Sequence, residues 1–325
     1  MRRLRQINAL RKTEAGLEPA FSLHVQTKRI KRAIDGILLL DKPLGLSSNQ
    51  ALQQAKRLFQ AAKAGHTGSL DPLATGLLPI CLGEATKFSH FLLDADKSYR
   101  ALIRLGSTTT TGDAEGEIIA TAEVDVTPAA LQAALQRLIG DIEQIPPMYS
   151  ALKHQGKALY EYARAGQSIE RPARRVSIYQ IQLNSYAQGL VDITVSCSKG
   201  TYIRTLAEDV GHLLGCGAHL AGLRRLSTAH FSLDDAVTLE QLEAMVPASR
   251  DGALLPADAA LIDLPKVELD ADSAHYLLQG QAVWKAGVID DGPLRLYAGD
   301  VFLGMGERSA DGKIAPRRLM AAKAS

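Results

Sequence analysis

Residues 65–87 read GHTGSLDPLATGLLPICLGEATK, and up to Glu84 they contain a single acid, Asp71. An ionised aspartate held in place can act as a nucleophile or as a general base. The flanking residues are suited to holding it. Pro72 and Pro79 lock their own φ angles, and four glycines open conformations that other residues avoid, so a stiff loop is expected here. An isolated Asp-Pro pair only starts turns or caps helices. This one shares its stretch with His66, the hydroxyls of Thr67, Ser69 and Thr75, and an apolar exit at 77–82. Loops held stiffly by a scaffold are where chemistry tends to sit.

Other catalytic signatures are missing. There is no GxxxxGK[ST] loop to cradle phosphates, no GxGxxG after a strand and no GxSxG elbow. His212, Cys216 and His219 have the helical spacing of metal ligands, but Gly215 and Gly217 interrupt such a helix and no fourth ligand is near. No metal and no cofactor is expected. The lone carboxylate of Asp71 is left as the chemical centre.

The stretch around Asp71 resembles the signature motif of the TruB family of pseudouridine synthases. DKPLGLSSN at 41–49 resembles that family's first motif. KSYRALIRLG at 97–106, PPMYSALK at 146–153, CSKGTYIRTLAEDVG at 197–211 and GAHLAGLRRL at 217–226 follow in the family's order. The nearest resemblance is to the bacterial enzymes that make pseudouridine-55 in the T-loop of tRNA. Such an isomerisation is redox-neutral, which agrees with the absence of nucleotide and metal motifs.

The resemblance implies a role for each matching residue. Asp71 is the catalytic carboxylate, and Arg204 in KGTYIRT is its partner, able to grip a carboxylate with a planar fork. Tyr99 stacks on the target base and assists the proton leaving C5. Tyr202 and Leu223 complete the walls of the uridine pocket, although Leu223 taken alone reads as helix core. His66 contacts the T-loop, where a ring can stack among displaced bases. Lys42 and Lys87 support the loop or bind phosphates, and Lys199, Arg224, Arg225, Arg317 and Arg318 are candidates for the RNA backbone. Ser69 replaces the family's commoner threonine but keeps the hydroxyl, and Leu46-Ser47 replaces a commoner hydroxyl pair.

The surrounding elements follow from pattern. Residues 35–40 read as a buried strand, and Ser48 reads as the cap of an amphipathic helix carrying Ala51, Leu52, Ala55, Leu58 and Phe59. A helix is expected at 84–93. Residues 97–105 alternate as a half-buried strand, with a polar turn at 107–112 returning toward Ile118. Thr127-Pro128 opens a helix that stops at Gly140. Residues 174–183 and 190–197 form a hairpin, and Tyr202 leads into a helix through Leu214. The fold class is therefore α+β, a mainly antiparallel mixed sheet with flanking helices.

Domain boundaries are expected as a basic, flexible leader at 1–32, a catalytic domain at 33–250 with a thumb-like insertion at about 127–175, and a small β-rich PUA-like RNA-binding domain at 256–325. Residues 247–256 read as the linker. The leader carries nine Lys and Arg against two Glu, so the formal net charge of +2 hides a surplus of seven there and a deficit of five elsewhere. It has no apolar segment of secretory type. Three widely spaced cysteines suit a reducing, cytoplasmic setting. No apolar run is long enough to cross a bilayer. The expected partner is the T-arm of tRNA, with no membrane, no obligatory protein partner and a monomeric state. Two readings compete with the stand-alone enzyme: a guide-RNA-dependent synthase of the same fold, and a tRNA-folding chaperone that does not need catalysis.

Overall fold

The computed structural model describes residues 31–288 and 290–321, and these form one compact unit. The basic stretch at 1–32 lies outside the described residues up to position 30. Among the described residues no helix is long and apolar enough to cross a membrane.

The first strand, β1 (Gly36–Lys42), is buried on both faces, which is why it reads as a continuous apolar run. Helix α1 (Ser48–Leu58) follows. Its N-cap is Ser47 rather than the expected Ser48: the Ser47 hydroxyl accepts from the Gln50 N–H, and the Gln50 side chain returns a bond to the Ser47 N–H. Ser48 is thereby freed to point inward.

The stretch expected to be one long loop is instead strand, loop, strand. Residues 64–66 form β2 (Ala64–His66) and residues 74–82 form β3 (Ala74–Leu82), with Asp71 on the short connection between them. The next helix is split into a 3₁₀ segment (Gly83–Phe88) and α2 (Ser89–Leu93).

Strand β4 (Lys97–Leu105) buries alternate residues, as its pattern dictates. A small hairpin, β5 (Ser107–Thr109) with β6 (Ile118–Thr121), precedes α3 (Pro128–Arg137), which Thr127 caps. Then come β7 (Gly140–Gln144), the short pair β8 (Lys153–His154) and β9 (Lys157–Ala158), and α4 (Leu159–Arg164). The expected hairpin is β10 (Arg174–Ala187) with β11 (Leu190–Cys197). Helix α5 (Ile203–Leu214) ends at Gly215, whose φ of +75° is a left-handed C-cap.

Residues 218–228 form β12 (Ala218–Thr228), so Leu223 lies on a strand, not on the helix its own sequence suggests. β12 runs parallel to β3 on one side and antiparallel to β4 on the other. Two short elements follow, β13 (Phe231–Ser232) and α6 (Leu239–Ala244). The stretch at 247–256 is no free linker. After a 3₁₀ turn it contributes β14 (Leu254–Leu255), which pairs with β1.

These strands make one ten-stranded sheet in the order β14-β1-β3-β12-β4-β11-β10-β7, with β2 and β13 attached. A second sheet of four is built from β15 (Lys266–Glu268), β16 (Pro293–Ala298), β17 (Val301–Arg308) and β18 (Ile314–Leu319), with α7 (Ala271–Leu278) against it.

Helices α3 and α5 cover β4, β11 and β12 through Leu131, Leu135, Leu206 and Val210, while α1 and α6 cover alternate residues of β1 and β3. A third cluster joins Ile37, Leu77 and Phe88 to Met305 of the second sheet, and the Phe88 and Phe302 rings meet edge-on at 5.5 Å. Each such buried side chain contributes about 1.5–3 kcal/mol. The mixed, mainly antiparallel α+β architecture matches expectation.

Candidate active site

The β2–β3 connection is held from outside by the residues of 41–49. The Ser48 hydroxyl accepts from the Leu70 N–H at 2.7 Å and donates to the Leu70 carbonyl at 3.1 Å. The Gly45 N–H donates to the Pro72 carbonyl at 2.9 Å. Asp71 is thus gripped on both sides. Lys42 is fully buried beneath, donating to the carbonyls of Pro43 and Leu46, and burial lowers its pKa to about 8 although Asp71 opposes the shift.

Arg204 is the second residue of α5, two after the N-cap Tyr202. It is 7% exposed, and its Nη2 lies 3.1 Å from Asp71 Oδ2. The expected pairing of Arg204 with Asp71 is therefore seen in the geometry. The same fork donates to the carbonyls of Tyr149 and Thr111, and its Nη1 lies 3.6 Å from Asp113 Oδ2. Asp113 is buried and accepts from the Thr111 hydroxyl at 2.6 Å and the Glu115 N–H at 3.1 Å. Sequence reasoning missed it. It belongs to no catalytic signature, and only the polar turn around it hinted at a role.

The Asp71 side chain is 48% exposed at the lip of the cleft, yet the protein packed around it raises its pKa. Lost solvation is the first cause. Arg204 opposes it, Asp113 adds to it and Lys42 opposes it more weakly. The carboxylate is a stronger base than a free aspartate but keeps a fixed cation beside it.

Two cavities flank Asp71. One, of about 420 Å³, is lined by Tyr99, Tyr202, Leu223, Lys97 and Arg225 together with Asp71 and Arg204. The other, of about 540 Å³, is lined by His66, Ser47, Tyr160 and Arg164 together with the same carboxylate. The structure therefore brings Asp71, Arg204, Tyr99, Tyr202 and Leu223 together and sets His66 in the adjoining cavity. Both His66 and Tyr99 are shifted by burial first: the imidazole pKa falls and the phenol pKa rises. The Arg225 cation lowers both.

Other expected contacts fall differently. Arg224 pairs with Asp41 at 2.6 Å, Lys199 with Asp94 at 3.0 Å and Arg317 with Glu307 at 2.7 Å. Lys87 donates to the Leu319 carbonyl at 2.7 Å and pairs with Glu84, tying the 3₁₀ segment to the second sheet rather than facing solvent. Arg225 is buried. His212, Cys216 and His219 do not converge, because α5 ends at Gly215 and His219 sits on β12, with its Nδ1 3.0 Å from the Ser107 carbonyl.

The chain also resembles known proteins. Residues 56–203 match the TruB family pseudouridylate synthase N-terminal domain, residues 204–262 the tRNA pseudouridylate synthase B C-terminal domain, and residues 265–320 the pseudouridine synthase II TruB C-terminal domain. The chain is 68% identical over 297 residues to the tRNA pseudouridine synthase B of Methylobacillus flagellatus, spanning 91% of this chain and 98% of the relative. It is 56% identical over 300 residues to that of Aromatoleum aromaticum, spanning 92% and 97%.

Among solved structures, the archaeal box H/ACA sRNP Nop10-Cbf5 complex contains a chain that superposes with a TM-score of 0.65 at 25% identity, over 87% of this chain and 85% of that one. A Cbf5-Nop10-Gar1 complex gives 0.66 at 25% identity, over 89% and 84%. Identity of 68% across nine-tenths of the chain decides the kinship, and the protein belongs to the TruB family of pseudouridylate synthases.

Proposed function

We propose that this protein converts uridine-55 in the T-loop of tRNA to pseudouridine, with Asp71 as the nucleophile or base acting on a uridine turned out of the RNA. The observation that carries the reading is the Asp71 carboxylate, held 3.1 Å from a buried Arg204 at the mouth of a cavity walled by Tyr99, Tyr202 and Leu223. The name shared by the relatives, tRNA pseudouridine synthase B, supports tRNA as the substrate.

Extruding the base costs about a few kcal/mol of lost stacking. Tyr99 and Leu223, on adjacent strands of the sheet, offer it flat apolar walls, and His66 in the neighbouring cavity meets the RNA around the gap. The bond from C1′ to N1 breaks and its electron pair leaves with the uracil. Asp71 either attacks C1′ directly or removes a proton from C2′ to leave a glycal. The base turns and C5 bonds to C1′, displacing the Asp71 carboxylate in the first route or taking place as Asp71 returns its proton to C2′ in the second. The proton on C5 then departs with help from the Tyr99 hydroxyl, and N1 ends protonated. Arg204 aims the Asp71 carboxylate and favours its ionised form before it reacts.

The test is nucleoside mapping of an unmodified tRNA transcript incubated with wild type and with Asp71→Asn, with no guide RNA present. Pseudouridine at position 55 from the wild type alone, with binding retained by Asp71→Asn, supports the reading. A requirement for added guide RNA favours the guide-dependent alternative. Refolding of tRNA by both proteins with no pseudouridine from either favours the chaperone.

A further inference from the structure

Arg225 is the largest fully buried side chain among the described residues, at 1% exposure. A guanidinium never loses its charge in a protein, and removing it from water is expensive unless a carboxylate compensates. None does: Arg225 forms no ion pair among the described residues. Its Nε donates to the Leu77 carbonyl at 2.7 Å and its Nη2 to the Gly68 carbonyl at 3.2 Å, which are neutral groups on either side of Asp71 in the chain. Nη1 has no carbonyl or carboxylate partner among the described residues.

The position of this cation is informative. Arg225 is the cross-strand partner of Tyr99 and lines the same cavity. Lys97 lines it too, buried, donating to the carbonyls of Leu92, Leu93 and Ala95 and likewise without an ion-pair partner among the described residues. The acids of the site, Asp71 and Asp113, are both engaged by Arg204 instead. The inner end of the cavity therefore carries uncompensated positive charge in a poorly solvated place.

We propose that Arg225 is the counter-charge for the uracil anion that forms in this cavity when the bond to C1′ breaks. The inference rests on the reading above, in which the base leaves with the electron pair of that bond and stays in the cavity until C5 attacks C1′. While detached, the uracil carries a full negative charge over its ring nitrogens and oxygens. A cation fixed in advance, with no carboxylate to neutralise it, lowers the energy of that anion without rearranging at the moment of bond breaking. Holding the ends of the Asp71 loop explains the two carbonyl contacts, but neutral donors could do that, and it does not explain a charge.

The test compares single-turnover rates of breaking the C1′–N1 bond on tRNA containing uridine or 5-fluorouridine at the target position, with wild type, Arg225→Met and Arg225→Lys. The rate is read as disappearance of the target nucleoside, because 5-fluorouridine has no C5 proton to release as pseudouridine forms. Fluorine makes the departing uracil a weaker base, so its anion needs less help. Arg225→Met should lose roughly a hundredfold to a thousandfold on uridine, the size seen when one preorganised charge-stabilising donor is removed. It should lose at least tenfold less on 5-fluorouridine, while RNA binding stays within about threefold.

Arg225→Lys keeps a cation and should lose less than about tenfold on either substrate. An equal loss on both substrates in Arg225→Met overturns the proposal and leaves Arg225 a loop staple. If Arg225→Met does not fold, Arg225→Lys decides: near-wild-type rates support the charge, and an equal hundredfold loss on both substrates overturns it. Failure of the wild type to form pseudouridine is a separate result that removes the functional reading itself.

Discussion

The side-chain amide of Gln144 makes two bonds to the backbone of Tyr202, accepting from its N–H at 2.9 Å and donating to its carbonyl at 3.3 Å. Gln144 ends β7 and Tyr202 caps α5 with no side-chain cap of its own, so this pair fixes where the helix starts. Arg204 lies two residues further on. Gln144→Leu leaves the Tyr202 N–H without its partner, while the Tyr202 carbonyl keeps the bond from the Leu206 N–H at 3.0 Å, and should cost about 1–3 kcal/mol, read as a lower melting temperature. Because Arg204 shifts with the helix start, the single-turnover rate should fall about tenfold or more while RNA affinity changes little.

Ser48 does the same for the other half of the site. Ser48→Ala strips the Leu70 N–H of its acceptor next to Asp71 and should cost about 1–3 kcal/mol in a thermal melt. Ser47→Ala, one residue earlier, removes only a helix cap, at about 1 kcal/mol. The rates should separate the two: Ser48→Ala slows catalysis about tenfold, and Ser47→Ala leaves it near wild type. Equal rates for both variants would show that the Leu70 contact does not hold Asp71.

The pH profile has a sign that the site dictates. In the proposed mechanism Asp71 must be ionised to act, and its pKa is raised chiefly by lost solvation. Activity should therefore fall on the acid side as pH drops through that raised value, beginning above the ordinary aspartate range near about 3.9. Asp113→Asn removes a neighbouring negative charge and frees Arg204 to serve Asp71 alone, so its acid limb should move to lower pH. A kcat/KM profile across the acid range reads both. The folding transition must be followed in parallel, to exclude acid unfolding.

Gly76 adopts a φ of +97° where β3 meets β12, and a Cβ there would lie 2.3 Å from the Arg225 carbonyl oxygen and 2.7 Å from its nitrogen. Backbone cannot yield as a flexible side chain does. Gly76→Ala should destabilise the protein by about 2–5 kcal/mol, combining unfavourable φ with overpacking. A melting temperature within a degree or two of wild type would contradict that.

Much of the fold was legible because local pattern and burial agree. Residues 97–105 alternate without interruption, and the strand spans those residues; Thr127-Pro128 opens α3 as capping chemistry requires. Leu223 shows where this stops. LAGLRRL contains good helix formers, but two open strand edges, those of β3 and β4, claim the segment for the centre of the sheet. Pairing partners distant in the chain override a weak local preference.

Residues 74–82 misled for the opposite reason. Pro79 reads as a loop signal, yet its carbonyl still accepts from the Thr67 N–H at 3.1 Å. Within the site, Asp71 and Arg204 stood out through motif resemblance, whereas Asp113 joins them only because β5 and its turn fold back beside α5. Ser48 reads as a helix cap in the sequence, since a hydroxyl before an amphipathic run fits that role whether it faces out or in.

The edge-on contact of Phe88 with Phe302, and the bond from Lys87 to the Leu319 carbonyl, make the two sheets share a core rather than a hinge. The separation between the cleft and the four-stranded sheet is consequently a built-in length. Under the proposed function, a tRNA that touched both would have to present its contacts at that spacing, as to a caliper, and a transcript with its stem lengthened by one base pair should place a different nucleotide at Asp71, read by nucleoside mapping.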